Sequence, residues 1–171
     1  MANKKIRNAT KASLSNITFE SQLEKMAYRT LVELGFKPQY EPKTFVVWEG
    51  FESPTPFYDK ETDKQRLKRT GDDNGPKILV RKPGKIQPIR YTPDIYVRYG
   101  NLDVWIEMKC IENDVAYIKK KMFRKYLDDL YYSTGQRSVY FEVYNKRQLL
   151  QAIEIFKDYE QEEYNQADQG S

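Results

Sequence analysis

The dipeptide Gly100-Asn101 stands between two runs rich in β-branched and aromatic residues, Ile95-Tyr-Val-Arg-Tyr99 and Leu102-Asp-Val-Trp-Ile-Glu-Met108. That pattern signals a two-residue hairpin turn, and so short a turn fixes the strand register. Tyr99 then faces Leu102, Arg98 faces Asp103, Tyr96 faces Trp105, Ile95 faces Ile106, and Asp94 lands opposite Glu107. Because side chains alternate along a strand, Ile95, Val97, Tyr99, Leu102, Val104, Ile106 and Met108 share one face, uniformly fit for burial. The other face carries Asp94, Arg98, Asp103, Glu107 and Lys109.

On the charged face Arg98 and Asp103 make an ordinary opposite-charge pair, whereas Asp94 opposite Glu107 is a like-charge pair that destabilises a sheet unless something compensates. Directly opposed residues have Cβ atoms about 5 Å apart, a spacing from which two carboxylates can grip one hard cation such as Mg²⁺. Lys109, two residues beyond Glu107 on the same face, can then hold an activated water or a phosphate. The bland alternative is a strand start after Pro93 and solvated charges on an edge strand. The register match favours the metal site.

A chain of 171 residues is one domain's worth, enough to bury a sound core. Its 29 basic and 25 acidic residues leave a net charge of +4, unevenly spread. Ten Lys or Arg stand against five Asp or Glu from Ser53 to Arg90, six against two from Val115 to Arg137, and one against five from Lys157 onward. Such segregation favours a polyanion-binding face. The chain has no histidine, which removes HNH-type nucleases, His-x-Glu deaminases, Ser-His-Asp triads and HExxH proteases together. Cys110 is the single cysteine, so neither an intramolecular disulfide nor a Cys-rich zinc cluster can form, and it reads as a strand-end residue. Acidic oxygens remain as metal ligands, and they select Mg²⁺ or Mn²⁺. No apolar run has the length of a signal peptide or a membrane span, so a cytoplasmic protein without membrane contact is expected.

Residues 1–16 read as a flexible basic arm, 17–160 as a single domain, and 161–171 as an acidic, disordered tail. Thr18 or Ser21 opens a helix with Leu23, Met26, Ala27, Leu31 and Leu34 at helical spacing, and Gly35 ends it. A strand is expected from about Gln39 to Trp48. Residues 53–88 read as a basic insertion, extended only at Lys77–Arg81 and Lys85–Ile89, with a hairpin around Pro83-Gly84. Its functional reading is DNA grasping or dimer exchange; its bland one is a mobile loop. After the charged hairpin, Asp114 opens a helix whose stripe is Val115, Ile118, Met122, Tyr126 and Leu130, leaving Lys119, Lys120, Lys121, Arg124 and Lys125 outward to track phosphates. A strand over Ser138–Tyr144 follows, and Asn145 caps a last helix with Leu149, Ile153, Phe156 and Tyr159 in register. The order helix, strand, hairpin, helix, strand, helix predicts an α/β fold, a mixed sheet flanked by helices.

Pro93-Asp94, twelve intervening residues and Glu107-Met108-Lys109 resemble the PD-(D/E)xK nuclease superfamily. Phe19-Glu-Ser-Gln-Leu-Glu24, then Leu31, Leu34-Gly35 and Tyr40-Glu41-Pro42, are similar in order to the small phage-encoded resolvase-like members. The resemblance spans about residues 18 to 145. Relatives often follow the lysine with glycine, where this chain has Cys110, and a minimal core lacks the long 53–88 stretch. The resemblance implies a restriction-endonuclease-like core in which Asp94, Glu107 and the carbonyl of Met108 hold Mg²⁺, with Mn²⁺ able to substitute, and Lys109 orients the attacking water. It also implies a glutamate on the first helix that completes the site. Glu24 matches best, with Glu20 as fallback; Ser21-x-x-Glu24 equally reads as a capping box. A Lys near the metal on the following helix would be Lys119 or Lys121. The function so implied is a metal-dependent DNA endonuclease. With no room for a base-reading domain, branched DNA cut by a homodimer is expected, as in a phage-type Holliday junction resolvase in the host cytoplasm. Alternatives are a mismatch, transposition or sequence-dependent nuclease, a non-catalytic DNA-binding protein that keeps the fold, and action on RNA.

Overall fold

The structure, a computed structural model, describes residues 12–14, 16–63, 69, 71, 77–109 and 114–169. Cys110 and most of the basic arm lie outside them. The fold is mixed α/β, and the chain divides into two compact units, residues 1–47 with 90–171, and residues 48–89.

The first unit is built on a mixed sheet of order β12-β11-β10-β3. Strands β10 (Ile95–Tyr99) and β11 (Leu102–Met108) are the antiparallel hairpin, in the register Ile95↔Ile106, Tyr96↔Trp105, Arg98↔Asp103 and Tyr99↔Leu102. The turn forces that register, because Gly100 takes the left-handed φ of 56° that a type II′ turn needs at its first central position. β3 (Gln39–Tyr40) adds antiparallel to β10, and β12 (Arg137–Val143) adds parallel to β11. Among the described residues three helices accompany the sheet: α1 (Gln22–Glu33), α2 (Asp114–Thr134) and α3 (Lys146–Gln169). None is long and apolar enough to cross a membrane.

Both faces of the sheet are covered. On one, Ile95, Val97, Leu102, Val104, Ile106 and Met108 pack against Ala27 and Leu31 of α1 and Leu149, Ile153 and Phe156 of α3. On the other, Trp105 packs with Phe123 and Leu127 of α2, Phe45 of β4 (Phe45–Trp48) and Tyr91 of β9 (Ile89–Tyr91). Burying one Leu- or Phe-sized side chain contributes roughly 1.5–3 kcal/mol, so these two clusters hold the sheet rigid.

Several expectations are corrected. The strand from Gln39 to Trp48 is broken in two, since Glu41 adopts a left-handed φ of 42° directly before Pro42. The packing stripe of α2 is Lys120, Phe123 and Leu127, whereas Val115 and Ile118 are exposed. Periodicity alone picked the wrong stripe because a lysine lies on the buried one. α3 runs on to Gln169 rather than ending in a disordered tail from 161. Its continuation has no proline or glycine before Gly170 to stop it. Ala12–Leu14 (β1), placed in a flexible arm, pairs with Ile17–Phe19 (β2).

The second unit consists of two antiparallel ribbons. β5 (Phe51–Glu52) pairs with β8 (Lys85–Ile86), and β6 (Tyr58–Thr62) pairs with β7 (Lys77–Arg81). The turn at Pro83-Gly84 therefore does not join a β7–β8 hairpin. Gly84 instead presents its carbonyl to the Ser53 amide at 2.8 Å. β6 escaped the sequence reading because its charges at Asp59, Lys60 and Glu61 mask the alternation.

Candidate active site

Asp94 precedes β10 and Glu107 sits one residue before the end of β11. The chain reaches Asp94 through the buried Pro93, which disfavours helix and starts the strand. Asp94 is held at two points: its Oδ2 accepts from the Met108 amide of β11 at 2.6 Å, and its carbonyl accepts from the amide of Glu41, just after β3, at 2.8 Å. The carboxylate is thus held against the β11 segment that carries Glu107.

Glu107 is 5% exposed. Its Oε1 accepts from the Lys109 ammonium in an ion pair, and its Oε2 accepts from the Tyr91 hydroxyl at 2.6 Å. Tyr91 in turn lies 2.9 Å from the Tyr140 hydroxyl. Its single proton goes to Glu107, so Tyr140 donates to Tyr91. Burial, reinforced by the Glu107 charge, pushes both tyrosine hydroxyls up from their ordinary range. They therefore stay protonated and remain donors. The Asp94 carboxyl is pushed well above its usual range by burial first and by the neighbouring Glu107 charge second. A cation at this point would favour the ionised form of the Asp94 carboxyl.

Glu142 lies beside Glu107 in the parallel β11–β12 register and pairs with the 3%-exposed Lys120 of α2. Lys120, expected on an outward DNA-contacting surface, is turned inward. The sheet face under α2 offers it a carboxylate, and pairing is what permits a buried ammonium. Lys121, Arg124 and Lys125 are exposed, Lys119 half-buried; Lys121 caps the Tyr117 ring at 4.3 Å and Lys125 pairs with Asp129.

Glu24 is buried and forms the capping box: its amide donates to Ser21 Oγ at 3.2 Å, its Oε1 accepts from Ser21 Oγ at 2.8 Å, and its Oε2 accepts from the Glu20 amide at 3.0 Å. The Tyr40 hydroxyl donates to the same Oε2 at 2.6 Å. Both oxygens are engaged, yet the Glu24 charge still adds to the upward push on Asp94.

Among the described residues no three Asp, Glu or Cys converge tightly enough to enclose an ion. Mg²⁺ does not require that, since it is commonly held by one or two carboxylates while keeping waters and substrate phosphate oxygens as its other ligands. Asp94 and Glu107, neighbouring hard oxygen donors at the end of the hairpin, fit such an ion.

Sequence reasoning missed Tyr91, Tyr140 and Glu142, and placed Lys120 outward where it is buried. Tyr91 carries a faint signal, two residues before Pro93-Asp94; the other three are brought in by the parallel strand and by α2. No protein-family model, no curated protein and no solved structure matches this chain.

Proposed function

We propose that the protein is a divalent-metal-dependent endonuclease that hydrolyses DNA phosphodiesters on a restriction-endonuclease-like core. The observation carrying this reading is the convergence of Asp94, Glu107 and Lys109 at one end of the β10–β11 hairpin, with the Asp94 carboxylate bonded to the Met108 amide. Asp94, Glu107 and the Met108 carbonyl would hold Mg²⁺, with Mn²⁺ able to substitute. When bound, the metal would supply a water of lowered pKa and neutralise charge building on the phosphoryl oxygens. Lys109 positions that water and donates to a phosphate oxygen, while Tyr91 fixes the orientation of Glu107. The products would be a 5′-phosphate and a 3′-hydroxyl, as the resemblance to PD-(D/E)xK nucleases implies.

The substrate we assign is branched DNA, a four-way junction above all, cut by a homodimer, as in a phage-type resolvase working in the host cytoplasm. Cations that contact phosphates read the shape of DNA rather than its bases, and paired symmetric cuts require a two-fold dimer. The test is cleavage of a labelled mobile junction beside a matched linear duplex with Mg²⁺, Mn²⁺ or Ca²⁺, using the native chain and Glu107→Ala. Symmetric cuts confined to the junction, lost in the variant and in Ca²⁺, are expected. Equal cutting of the duplex removes the junction assignment, and binding without any cutting removes the enzymatic one.

A further inference from the structure

In the β6–β7 ribbon the register sorts charge between the two faces. Tyr58 faces Arg81, Lys60 faces Leu79, and Thr62 faces Lys77, so these six share one side. The alternate pairs, Asp59 with Val80 and Glu61 with Ile78, occupy the other. Every ionic group on the first face is a cation and both acids of the ribbon's strands lie behind it. None of the three cations stands opposite an acid; Lys77 donates to the Thr62 hydroxyl at 2.7 Å, whereas Glu61 on the back face pairs with Lys82. The cationic face is well exposed, with Lys60, Lys77 and Arg81 exposed, Tyr58 53% exposed and Leu79 74% exposed, against 44% for Ile78 behind it.

An isolated two-stranded ribbon is marginal in water, and like charges gathered on one face weaken it further. A polyanion laid on that face relieves the repulsion. Two-stranded ribbons have the width to enter the DNA major groove, where cations reach phosphates and an apolar tip meets thymine methyls. Lys77 and Arg81, four residues apart on β7, span about 14 Å, the axial rise of roughly four base pairs.

We infer that this face of the β6–β7 ribbon is a binding surface for duplex DNA, with Lys60, Lys77 and Arg81 on phosphates and Leu79 between them. The choice of DNA among polyanions rests on the proposed nuclease reading; the sorting of charge does not.

The experiment is equilibrium binding of the full chain to a fluorescent 20-base-pair linear duplex in EDTA, where no cleavage intervenes, across a salt series. Each phosphate contact contributes about 0.9 to the slope of log affinity against log salt, so Lys60→Gln/Lys77→Gln/Arg81→Gln should lower the slope by about 2–3. It should also weaken binding more than tenfold at low salt. Leu79→Ser should weaken binding with the slope unchanged. Lys146→Gln/Arg147→Gln, removing two exposed cations of α3, serves as the charge control. An unchanged slope in the triple variant, or an equal loss per cation in the control, overturns the inference. So does a native chain that ignores the duplex, including one that instead self-associates and is made monomeric by Leu79→Ser. Because cleavage is not read, a chain that binds through the ribbon but never cuts keeps this surface and loses the nuclease reading; one that cuts with an unchanged slope does the reverse.

Discussion

Tyr91 is the residue on which the site's geometry depends most after the charged triad. It holds one oxygen of Glu107 while Lys109 holds the other, so the carboxylate enters any reaction already oriented. Tyr91→Phe keeps the ring in its cluster with Phe123 and removes only the hydroxyl. Cleavage by that variant should fall about 10- to 100-fold, the usual effect of deleting a group that orients a metal ligand. Its apparent requirement for Mg²⁺ should rise, read as the half-saturating concentration in a cleavage titration; full activity at native Mg²⁺ demand would show that Glu107 needs no such anchor. Glu24 poses a cleaner question because glutamine can serve in a capping box as glutamate does. Glu24→Gln should keep the native melting temperature and lose less than tenfold in rate, whereas Glu24→Ala should lose about 1 kcal/mol of stability with the cap. A Glu24→Gln protein that melts normally but does not cut would make the carboxylate a metal ligand.

The hairpin is the element that sets the site, and its turn is clamped from outside. Glu160 of α3 accepts from the Asn101 amide at 2.7 Å through one oxygen and from Arg137 at 2.8 Å through the other. A Cβ on Gly100 would meet that carboxylate, and Gly100 already sits at a φ that L side chains rarely adopt. Gly100→Ala should therefore cost about 1–2 kcal/mol. In a domain of this size that is a melting temperature lower by about 2–8 °C in a thermal scan. The same clamp explains why the last helix continues where composition reads as tail, since Glu160 is an anchored residue rather than a free acid. Capping is equally explicit at the start of α3, where Asn145 Oδ1 accepts from the Gln148 amide at 3.0 Å, as its place before an apolar-periodic run predicts.

At the scale of the whole molecule, Glu24, Asp94, Glu107 and Lys109 all belong to the unit formed by residues 1–47 and 90–171. Replacing residues 50–87 with a four-residue turn should therefore leave a chain that unfolds cooperatively in urea. Closing a loop about ten times shorter favours the folded state by roughly 2 kcal/mol, so its stability should not fall below that of the full chain. Loss of cooperative unfolding would mean the two units depend on each other. The hairpin, its register and the meeting of Asp94 with Glu107 were legible in the sequence, because a two-residue turn and strict alternation are local constraints that nothing distant can alter. So were α1 with its cap, β12 and the apolar stripe of α3 through Phe156, each a periodic pattern bounded by turn or capping residues. The sequence could not say which side of α2 is buried, since Lys120 enters the interior in an ion pair with Glu142, 22 residues further along the chain. Nor could it bring Tyr91 and Tyr140, 49 residues apart, into one hydrogen-bonded chain behind Glu107. Local pattern decides which way a side chain leaves its own strand or helix. What it meets there depends on parallel strand pairing and helix packing across the sheet, and those contacts exist only once the chain has folded.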